Sequence, residues 1–322
     1  MHIKEKNILF ICPKFHNYED MIKDQLMEFG AAVDFYAERS YGIDFNIINN
    51  FFKGYLMSYQ KKHYEHILKK IQYKHYDYLF VIRGFMLPES FLHEFKRLNP
   101  DSKTIMYQWD SQRTNSFCHL NKLFDIVKTF DFKDSEDLNI PYLPLFYTKD
   151  VQAYQSLDKV YDYDFFFMGF FFKERYEAIL RFKDYCNANG YKLMPFLYMP
   201  ISTRLKYFLK GKKLDRSIVS FKHMNRIDYL NILSKSRVMV DVSNSRQTGL
   251  AMRVIESLAC NTKIATNNTF FERDENIKQS GMVFLFNLQN ITIDRKFLNK
   301  GFESSNKLVL SLEEWTKKLF SV

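Results

Sequence analysis

The sequence predicts a parallel α/β protein of two domains. Short apolar runs alternate with stretches of helical periodicity, and the alternation restarts after about residue 155. Strands that alternate with helices imply βαβ units and a parallel sheet. The length of 322 residues suits two domains of roughly 150 residues each. We therefore expect a first domain over residues 1–155 and a second over residues 156–322.

The first half opens with a short apolar run at residues 7–12, which predicts a buried strand. A helical pattern follows and ends near Gly30, where glycine favours termination. The predicted strands of this half are residues 7–12, 32–36, 78–82, 103–109, 124–128 and 142–146. The predicted helices are residues 18–29, 59–73 and 88–98, the last with Pro88 near its start.

The second half repeats the pattern after a linker near residues 148–159. Its predicted strands are residues 164–168, 192–197, 218–221, 237–242, 263–266 and 283–286. Its predicted helices are residues 174–188, 226–234, 249–259 and 313–320. Ligands of parallel α/β sheets bind outside the carboxyl ends of the strands, so two such domains predict a cleft between them.

The composition is that of a folded protein with a sizeable core. Hydrophobic residues make up 46% and charged residues 26%, which excludes a disordered, collagen-like or coiled-coil chain. Lys and Arg number 47 against 37 Asp and Glu, so the net charge is 47 − 37 = +10. This charge favours anionic partners, which include nucleotide phosphates, nucleic acid and membrane surfaces.

Cysteine usage and hydropathy predict a cytoplasmic protein. The four cysteines are widely spaced, which suggests neither a disulfide framework nor a zinc site. The apolar run near the amino terminus is too short for a signal peptide or a membrane span. Because no cluster of His, Asp or Glu has metal-ligand spacing, we expect no metal and no cofactor.

Residues 237–268 carry the pattern that is most informative about chemistry. A strand leads into a polar loop at residues 243–248, and a helix is expected to start near Gly249 with Thr248 as its N-cap. Loop amides and a helix N-terminus together hold phosphates well. Arg253 and Glu256 follow on this helix, where the arginine suits phosphate and the carboxylate suits ribose hydroxyls. The alternative for Arg253 and Glu256 is a surface ion pair.

The run from Gln247 through Thr248 and Gly249 to Glu256, closing at residues 263–268, resembles the donor-binding half of bacterial GT-B glycosyltransferases. More narrowly, it resembles the glycosyltransferases of capsule, O-antigen or lipopolysaccharide synthesis. Residues 107–111, 124–147 and 168–176 are similar to the same group. Where these sequences usually close the helix with glycine, this chain has Asn261, which tolerates the left-handed conformation.

The resemblance implies two Rossmann-like domains and a nucleotide-sugar donor held by the second. It implies that Glu256 binds the ribose, and that Arg253 lies near the diphosphate with the amides of Thr248 and Gly249. Enzymes of this fold generally stabilise the leaving diphosphate with cationic side chains and helix N-termini rather than with a metal.

Candidates for the catalytic base come from the first domain. Asp110 ends a predicted strand, where its carboxylate would face the cleft; the alternative is a loop-capping aspartate. His16 follows the first strand, where the fold often carries a catalytic histidine; the alternative is an exposed loop residue. Arg83 and Gly84 end another strand and suit either an anionic acceptor or a turn.

Two further segments of the second domain have open interpretations. Lys222 and His223 follow a predicted strand and either line the nucleotide pocket or are ordinary loop residues. Residues 204–216 are strongly basic with apolar residues between the charges. They form either a solvated helix or a surface that contacts an anionic membrane near a lipid-linked acceptor.

The function predicted from these patterns is transfer of a sugar from a nucleotide-sugar donor to a growing surface glycan. One alternative is a nucleotide-sugar epimerase of the same architecture. Another is a non-catalytic module that binds nucleic acid or glycan. Because the basic residues are spread along the chain and no nucleic-acid motif is found, we expect no nucleic-acid partner.

Overall fold

The structure, a computed structural model, describes residues 2–155, 159–300 and 308–321. The chain divides into two compact units: Met1–Pro144 with Leu312–Val322, and Leu145–Ser311. The expected ranges of 1–155 and 156–322 differ from these units at residues 145–155 and at the last helix. Residues 156–158 of the expected linker lie outside the described residues.

The first unit is built around a parallel sheet whose described strands have the order β2-β1-β3-β4-β5. The strands are β1 (Asn7–Cys12), β2 (Ala32–Ala37), β3 (Tyr78–Ile82), β4 (Lys103–Gln108) and β5 (Ile126–Thr129). The helices are α1 (Tyr18–Glu28), α2 (Ile43–Phe51), α3 (Leu56–Ile71), α4 (Glu89–Leu98), α5 (Phe132–Leu138) and, from the end of the chain, α12 (Leu312–Phe320).

The central strands of this sheet are covered on both faces, which explains their continuous apolar sequences. Leu9 and Leu79 belong to a core that includes Ile67 of α3 and Phe91 of α4. Alternate side chains point to the opposite face, where Phe10 stacks on Phe80 at a centroid distance of 4.9 Å.

Helix α12 packs on the first unit although it follows the second in sequence. Its Trp315 is fully buried and its ring lies 4.8 Å from the Tyr107 ring. The Phe320 ring meets Phe80 at 5.3 Å. Two large aromatic side chains thus cover the sheet face that carries Phe80, and burial of this size outweighs chain order in deciding where the helix lies.

The second unit contains a parallel sheet whose described strands have the order β12-β11-β10-β7-β8-β9. The strands are β7 (Tyr163–Phe170), β8 (Leu193–Tyr198), β9 (Val219–Ser220), β10 (Ser236–Asp241), β11 (Lys263–Thr266) and β12 (Val283–Leu285). A separate parallel pair is formed by β6 (Phe146–Tyr147) and β13 (Leu310–Ser311). The helices are α6 (Lys173–Asn189), α7 (Ile201–Leu209), α8 (Arg226–Ser234), α9 (Met252–Ala259), α10 (Glu275–Gln279) and α11 (Arg295–Asn299).

Helix α6 covers one face of this second sheet. Its Phe182 meets Phe165 of β7 with a centroid distance of 5.1 Å, and both side chains are fully buried. The helix ends at Gly190, whose φ of 72° places it in the left-handed region that glycine adopts without strain. Helix α8 begins at Asn225, whose side chain accepts a hydrogen bond from the amide of Asp228 at 2.8 Å.

Most predicted elements differ from the structure by a few residues at their ends, and two differ more. The expected strand at residues 142–146 is replaced by an isolated bridge between Thr129 and Tyr142 and by the short strand β6. The helix expected from Gly249 begins at Met252, because Ala251 is extended. Among the described residues, no helix is long and apolar enough to cross a membrane.

Candidate functional site

The second sheet has a topological switch point between β7 and β10. Numbered within the sheet, its strands follow the order 3-2-1-4-5-6. In this order ligands bind where the order reverses, at the carboxyl ends of the strands. Helices α6 and α9 begin after β7 and β10, with Phe172 and Ala251 as their N-cap residues. Since neither side chain has a polar atom, neither caps the first-turn amides, which are the groups that bind anions at helix N-termini.

Arg175 bridges the two strand ends at this switch point. Its Nη1 donates to the carbonyl of Phe170 at 3.0 Å, and its Nη2 donates to the carbonyl of Val242 at 3.2 Å. Burial, together with the nearby charge of Arg253 and against the effect of Asp241, lowers the pKa of Arg175 to about 9. The positive charge at this point is therefore unfavourable, and a bound anion would relieve it.

Arg253 reaches the same strand end from α9. Its Nη2 donates to Oδ1 of Asp241 at 2.5 Å and to the carbonyl of Val242 at 3.3 Å. The other oxygen of Asp241 accepts from the hydroxyl of Thr266 at 2.7 Å. Two guanidinium groups and one carboxylate thus meet where the strand order reverses, and this set carries an excess of positive charge. Sequence reasoning missed Arg175, although its place in the first turn after a strand is a usable signal.

The loop between β10 and α9 is held by two asparagines that follow β11. The amide of Ser243 donates to Oδ1 of Asn267 at 2.8 Å, and Nδ2 of Asn268 donates to the carbonyl of Thr248 at 3.0 Å. The expectation that Thr248 caps the helix is wrong, because Ala251 is the N-cap. Gln247, Thr248 and Gly249 instead lie in the loop that precedes the helix.

Glu256 lies on α9 with only 2% of its surface exposed. Its Oε1 pairs with Nη1 of Arg226 at 2.7 Å. The same arginine pairs through Nε with Oδ2 of Asp150 at 2.8 Å and donates to the hydroxyl of Thr148 at 2.9 Å. The surface ion pair considered from the sequence is wrong for both residues, because Arg253 pairs with Asp241 and Glu256 with Arg226.

Lys222 and His223 line a cavity of about 350 Å³ in the second unit. Met194 and Phe196 of β8 supply apolar walls, and Asp228 of α8 supplies a carboxylate. The imidazole of His223 stacks on the Tyr198 ring at a centroid distance of 3.7 Å. Apolar walls, a stacking ring and convergent polar groups are features that planar heterocycles such as nucleobases use.

The first sheet has its own switch point, between β1 and β3. The order 2-1-3-4-5 reverses there, and Arg83 follows the carboxyl end of β3. Arg83 has a φ of 67°, in the left-handed region, and Gly84 beside it has a φ of 65°. The carbonyl of Arg83 accepts from the side-chain amides of Gln108 at 2.9 Å and Asn115 at 3.0 Å, which holds this strained backbone in place.

The structure places Asp110 beside Arg83, between the ends of neighbouring strands. Oδ2 of Asp110 lies 3.4 Å from Nη1 of Arg83, and about a quarter of the aspartate side chain is exposed. The other partner of Arg83 is Glu38, which follows β2, is fully buried and also accepts from the amide of Phe85 at 2.9 Å. Glu38, Arg83 and Asp110 thus alternate in charge along the carboxyl edge of the first sheet.

His16 lies in the loop after β1 and is exposed, with a φ of 52°. Its ring meets the Phe15 ring edge-on at 4.5 Å. The Phe15 ring also meets the Trp109 ring at 6.3 Å, so the loop of His16 contacts the segment that carries Asp110.

Asp134, which sequence reasoning missed, supports the loop after β4. Its Oδ2 accepts from the amide of Gln112 at 2.6 Å. Burial, together with the nearby charges of Asp131 and Asp137 and against the hydrogen bond from Gln112, raises the pKa of Asp134 to about 6. Gln112, whose amide donates this hydrogen bond, is two residues after Asp110 in the sequence. The carboxyl group with the raised pKa thus contacts the loop that carries Asp110.

Within residues 2–155, 159–300 and 308–321, no group of three or more His, Cys, Asp or Glu side chains is placed to hold a metal ion.

Comparison with solved structures identifies the fold. An α-glucosyltransferase in complex with UDP and a 13-mer DNA containing a central A:G mismatch aligns over 88% of this chain and 87% of its own, with 13% identity and a TM-score of 0.53. The chain has the GT-B fold. Its two units are the Rossmann-like domains of that fold, as the sequence predicted.

Two weaker matches are MnaA from S. aureus in complex with UDP and MurG from Acinetobacter baumannii. The first aligns over 91% of this chain and 86% of its own, with 12% identity and a TM-score of 0.49. The second aligns over 89% and 87%, with 10% identity and a TM-score of 0.45. No family model matches the GT-B chain described here. A search of curated proteins finds no match either.

Proposed function

We propose that this GT-B protein is a glycosyltransferase that moves a sugar from a nucleotide-sugar donor to a growing surface glycan of the capsule, O-antigen or lipopolysaccharide type. The observation that carries the proposal is the pair Arg175 and Arg253 at the switch point of the second sheet. A pair of cations beside two helix N-termini, one buried and one partly buried, suits a leaving nucleoside diphosphate.

In this proposal the donor lies along the carboxyl edge of the second sheet. Its diphosphate contacts Arg175, Arg253 and the loop amides of Thr248 and Gly249. Its ribose contacts Glu256. Its base occupies the cavity beside His223 and Lys222, whose apolar walls and positive charge suit a nucleotide. The cationic side chains, rather than a metal ion, neutralise the diphosphate as the bond to the sugar breaks, so a chelator leaves turnover unchanged.

The first unit provides the acceptor side of the reaction. An inverting transfer needs a base that removes the proton of the acceptor hydroxyl, and we assign this role to Asp110. Nη1 of Arg83 lies 3.4 Å from Oδ2 of this carboxylate, which is the group that would accept the proton. His16 is the second candidate for the base.

Thermal denaturation with a panel of nucleoside diphosphates tests the donor site. A ligand at 100 times its dissociation constant stabilises the folded state by about 2.7 kcal/mol. For a protein of this size we expect the melting temperature to rise by about 5 °C or more with one or two of the diphosphates. The rise should grow with ligand concentration.

This panel, extended to oligonucleotides and combined with an assay of nucleotide-sugar conversion, separates the alternatives. Indifference to every nucleoside diphosphate contradicts the glycosyltransferase proposal. Stabilisation by oligonucleotides that disappears at high salt indicates a nucleic-acid module instead. Conversion of a nucleotide sugar to its epimer in the absence of acceptor indicates an epimerase.

Replacing Glu256 by glutamine tests the ribose contact. We expect the affinity for the nucleoside diphosphate to fall about tenfold, because a hydrogen bond to a charged group contributes about 1.5–3 kcal/mol. The melting temperature should also fall, since the buried pair with Arg226 loses its charge. Calorimetric titration and thermal denaturation measure the two effects separately.

Asp150→Asn is the matched control, because Asp150 is the other carboxylate that pairs with Arg226. This variant should lose stability and keep its nucleotide affinity. If Glu256→Gln behaves like Asp150→Asn, Glu256 supports Arg226 and does not bind ribose.

A further inference from the structure

Helix α7 packs on the second unit through the face that carries Arg204 and Tyr207. The Tyr207 ring packs edge-on against Phe171 at 5.1 Å, and the Arg204 guanidinium lies over the Phe221 ring at 4.3 Å. These contacts fix the orientation of the helix on the domain, and they leave its opposite face directed to solvent.

The solvent-facing side of α7 is apolar. Ile201, Leu205 and Phe208 recur at helical spacing and are 76%, 56% and 77% exposed, and Leu209 beside them is 74% exposed. Exposed apolar groups that share one helix face, in contrast to scattered ones, mark an interaction surface.

The charges around this apolar face are almost all positive. The basic residues of the segment are Arg204, Lys206, Lys210, Lys212, Lys213 and Arg216. Its one acidic residue, Asp215, pairs with Lys183 at 2.6 Å. The apolar face of α7 is therefore bordered by cationic side chains.

Helix α2 of the first unit also exposes apolar side chains, but it lacks the positive charge that surrounds α7. Its Ile43 and Phe51 are 79% and 78% exposed, as much as the residues of α7. Residues 43–57, however, carry only Asp44 and Lys53, whose charges cancel. Nothing about α2 specifies an occupant, whereas α7 requires an anionic one.

We propose that α7 docks this protein on an anionic lipid bilayer. Leu205 and Phe208 enter the boundary between headgroups and acyl chains, and the lysines and arginines contact the phosphates. An apolar face with a basic border is the pattern of helices that lie in the plane of a membrane. Nucleic acid offers phosphates but no apolar phase, and a second copy of this helix would bring like charges together.

Sedimentation with vesicles tests the docking without any nucleotide sugar, so its outcome is independent of the proposed transferase activity. We expect the protein to bind vesicles of phosphatidylcholine with one-third phosphatidylglycerol, and to bind pure phosphatidylcholine at least about tenfold more weakly. Binding should weaken in 0.5 M salt.

Two matched pairs of variants locate the binding surface. Leu205→Ser with Phe208→Ser should lower vesicle partitioning at least about tenfold, whereas Ile43→Ser with Phe51→Ser on α2 should leave it unchanged. Lys206→Glu with Lys210→Glu should lower it at least about tenfold, whereas Lys61→Glu with Lys62→Glu, which changes net charge equally, should not.

Several outcomes overturn the proposal. One is failure of the folded wild type to bind anionic vesicles, and another is an equal loss in both members of either pair of variants. A third is that the wild type does not bind vesicles and the α7 variants differ from it in molecular mass in solution. In that case the occupant of the α7 surface would be a second copy of the chain. Thermal denaturation confirms that each variant is folded.

Discussion

Replacing Asp110 by asparagine is expected to lower turnover by about 10²–10⁴-fold, the usual cost of losing a general base. Asparagine has nearly the shape of aspartate but does not accept the proton of an acceptor hydroxyl. Affinity for the nucleoside diphosphate should stay unchanged, because the donor residues belong to the other unit, Leu145–Ser311. Steady-state turnover and calorimetric titration of the same preparation measure both quantities.

The fold should tolerate this substitution. Arg83 keeps its pair with the buried Glu38 when Asp110 loses its charge. The Asp110–Arg83 pair is long, at 3.4 Å, and partly exposed, so its contribution to stability is small. We expect a melting temperature within a few degrees of the wild type, which separates a catalytic aspartate from one that supports the loop.

Asp77→Asn is the matched control for Asp110→Asn. Asp77 also pairs with a cation of the first unit, Lys6 at 2.8 Å, but it precedes β3 and so lies at the opposite edge of the sheet. This variant should retain turnover. Near-normal turnover of Asp110→Asn would contradict the assignment and move the search for the base to His16.

The strands could be predicted from the sequence wherever burial alone determines them. The predicted bounds of β1, β3 and β11 agree with the structure, and nearly every side chain of these three strands is buried. Helix α2 was not predicted, and residues 204–216, which overlap α7, were left open between a solvated helix and a membrane-contacting surface. Most of the apolar residues of these helices are exposed to solvent. The apolar periodicity that predicts a helix assumes that its apolar face is buried, and here it is not.

The partners of the site residues could not be predicted from sequence spacing. Arg253 pairs with Asp241 on the preceding strand, and Glu256 pairs with Arg226 on another helix. The group of Glu38, Arg83 and Asp110 assembles from three loops because the sheet order is 2-1-3-4-5, and strand order is a tertiary property. The general location was predictable, since each of these residues follows the carboxyl end of a strand.

Arg253→Lys is expected to lower turnover by about 10²-fold or more, the effect of removing one preorganised donor to a developing anion. Lysine keeps the charge but lacks the planar guanidinium group. In Arg253, Nη2 alone donates to Asp241 and to the carbonyl of Val242, so another nitrogen of the guanidinium remains for a ligand. A lysine that retains the pair with Asp241 therefore has less to offer a diphosphate. Arg175→Lys should act in the same direction, because Arg175 reaches the same carbonyl.

Arg237→Lys is the comparison that makes the Arg253 result interpretable. Arg237 lies on the same strand as Asp241 and pairs with Asp164 at 3.4 Å, but near the amino end of that strand and with 40% of its side chain exposed. Its conversion to lysine should leave turnover unchanged. If Arg253 only stabilises the buried Asp241, Arg253→Lys will lower the melting temperature while turnover per folded molecule stays at the wild-type value. If instead turnover of Arg253→Lys falls by a larger factor than nucleotide affinity, Arg253 contacts the leaving diphosphate. An interaction that strengthens as the bond to the sugar breaks affects the transition state more than the bound donor.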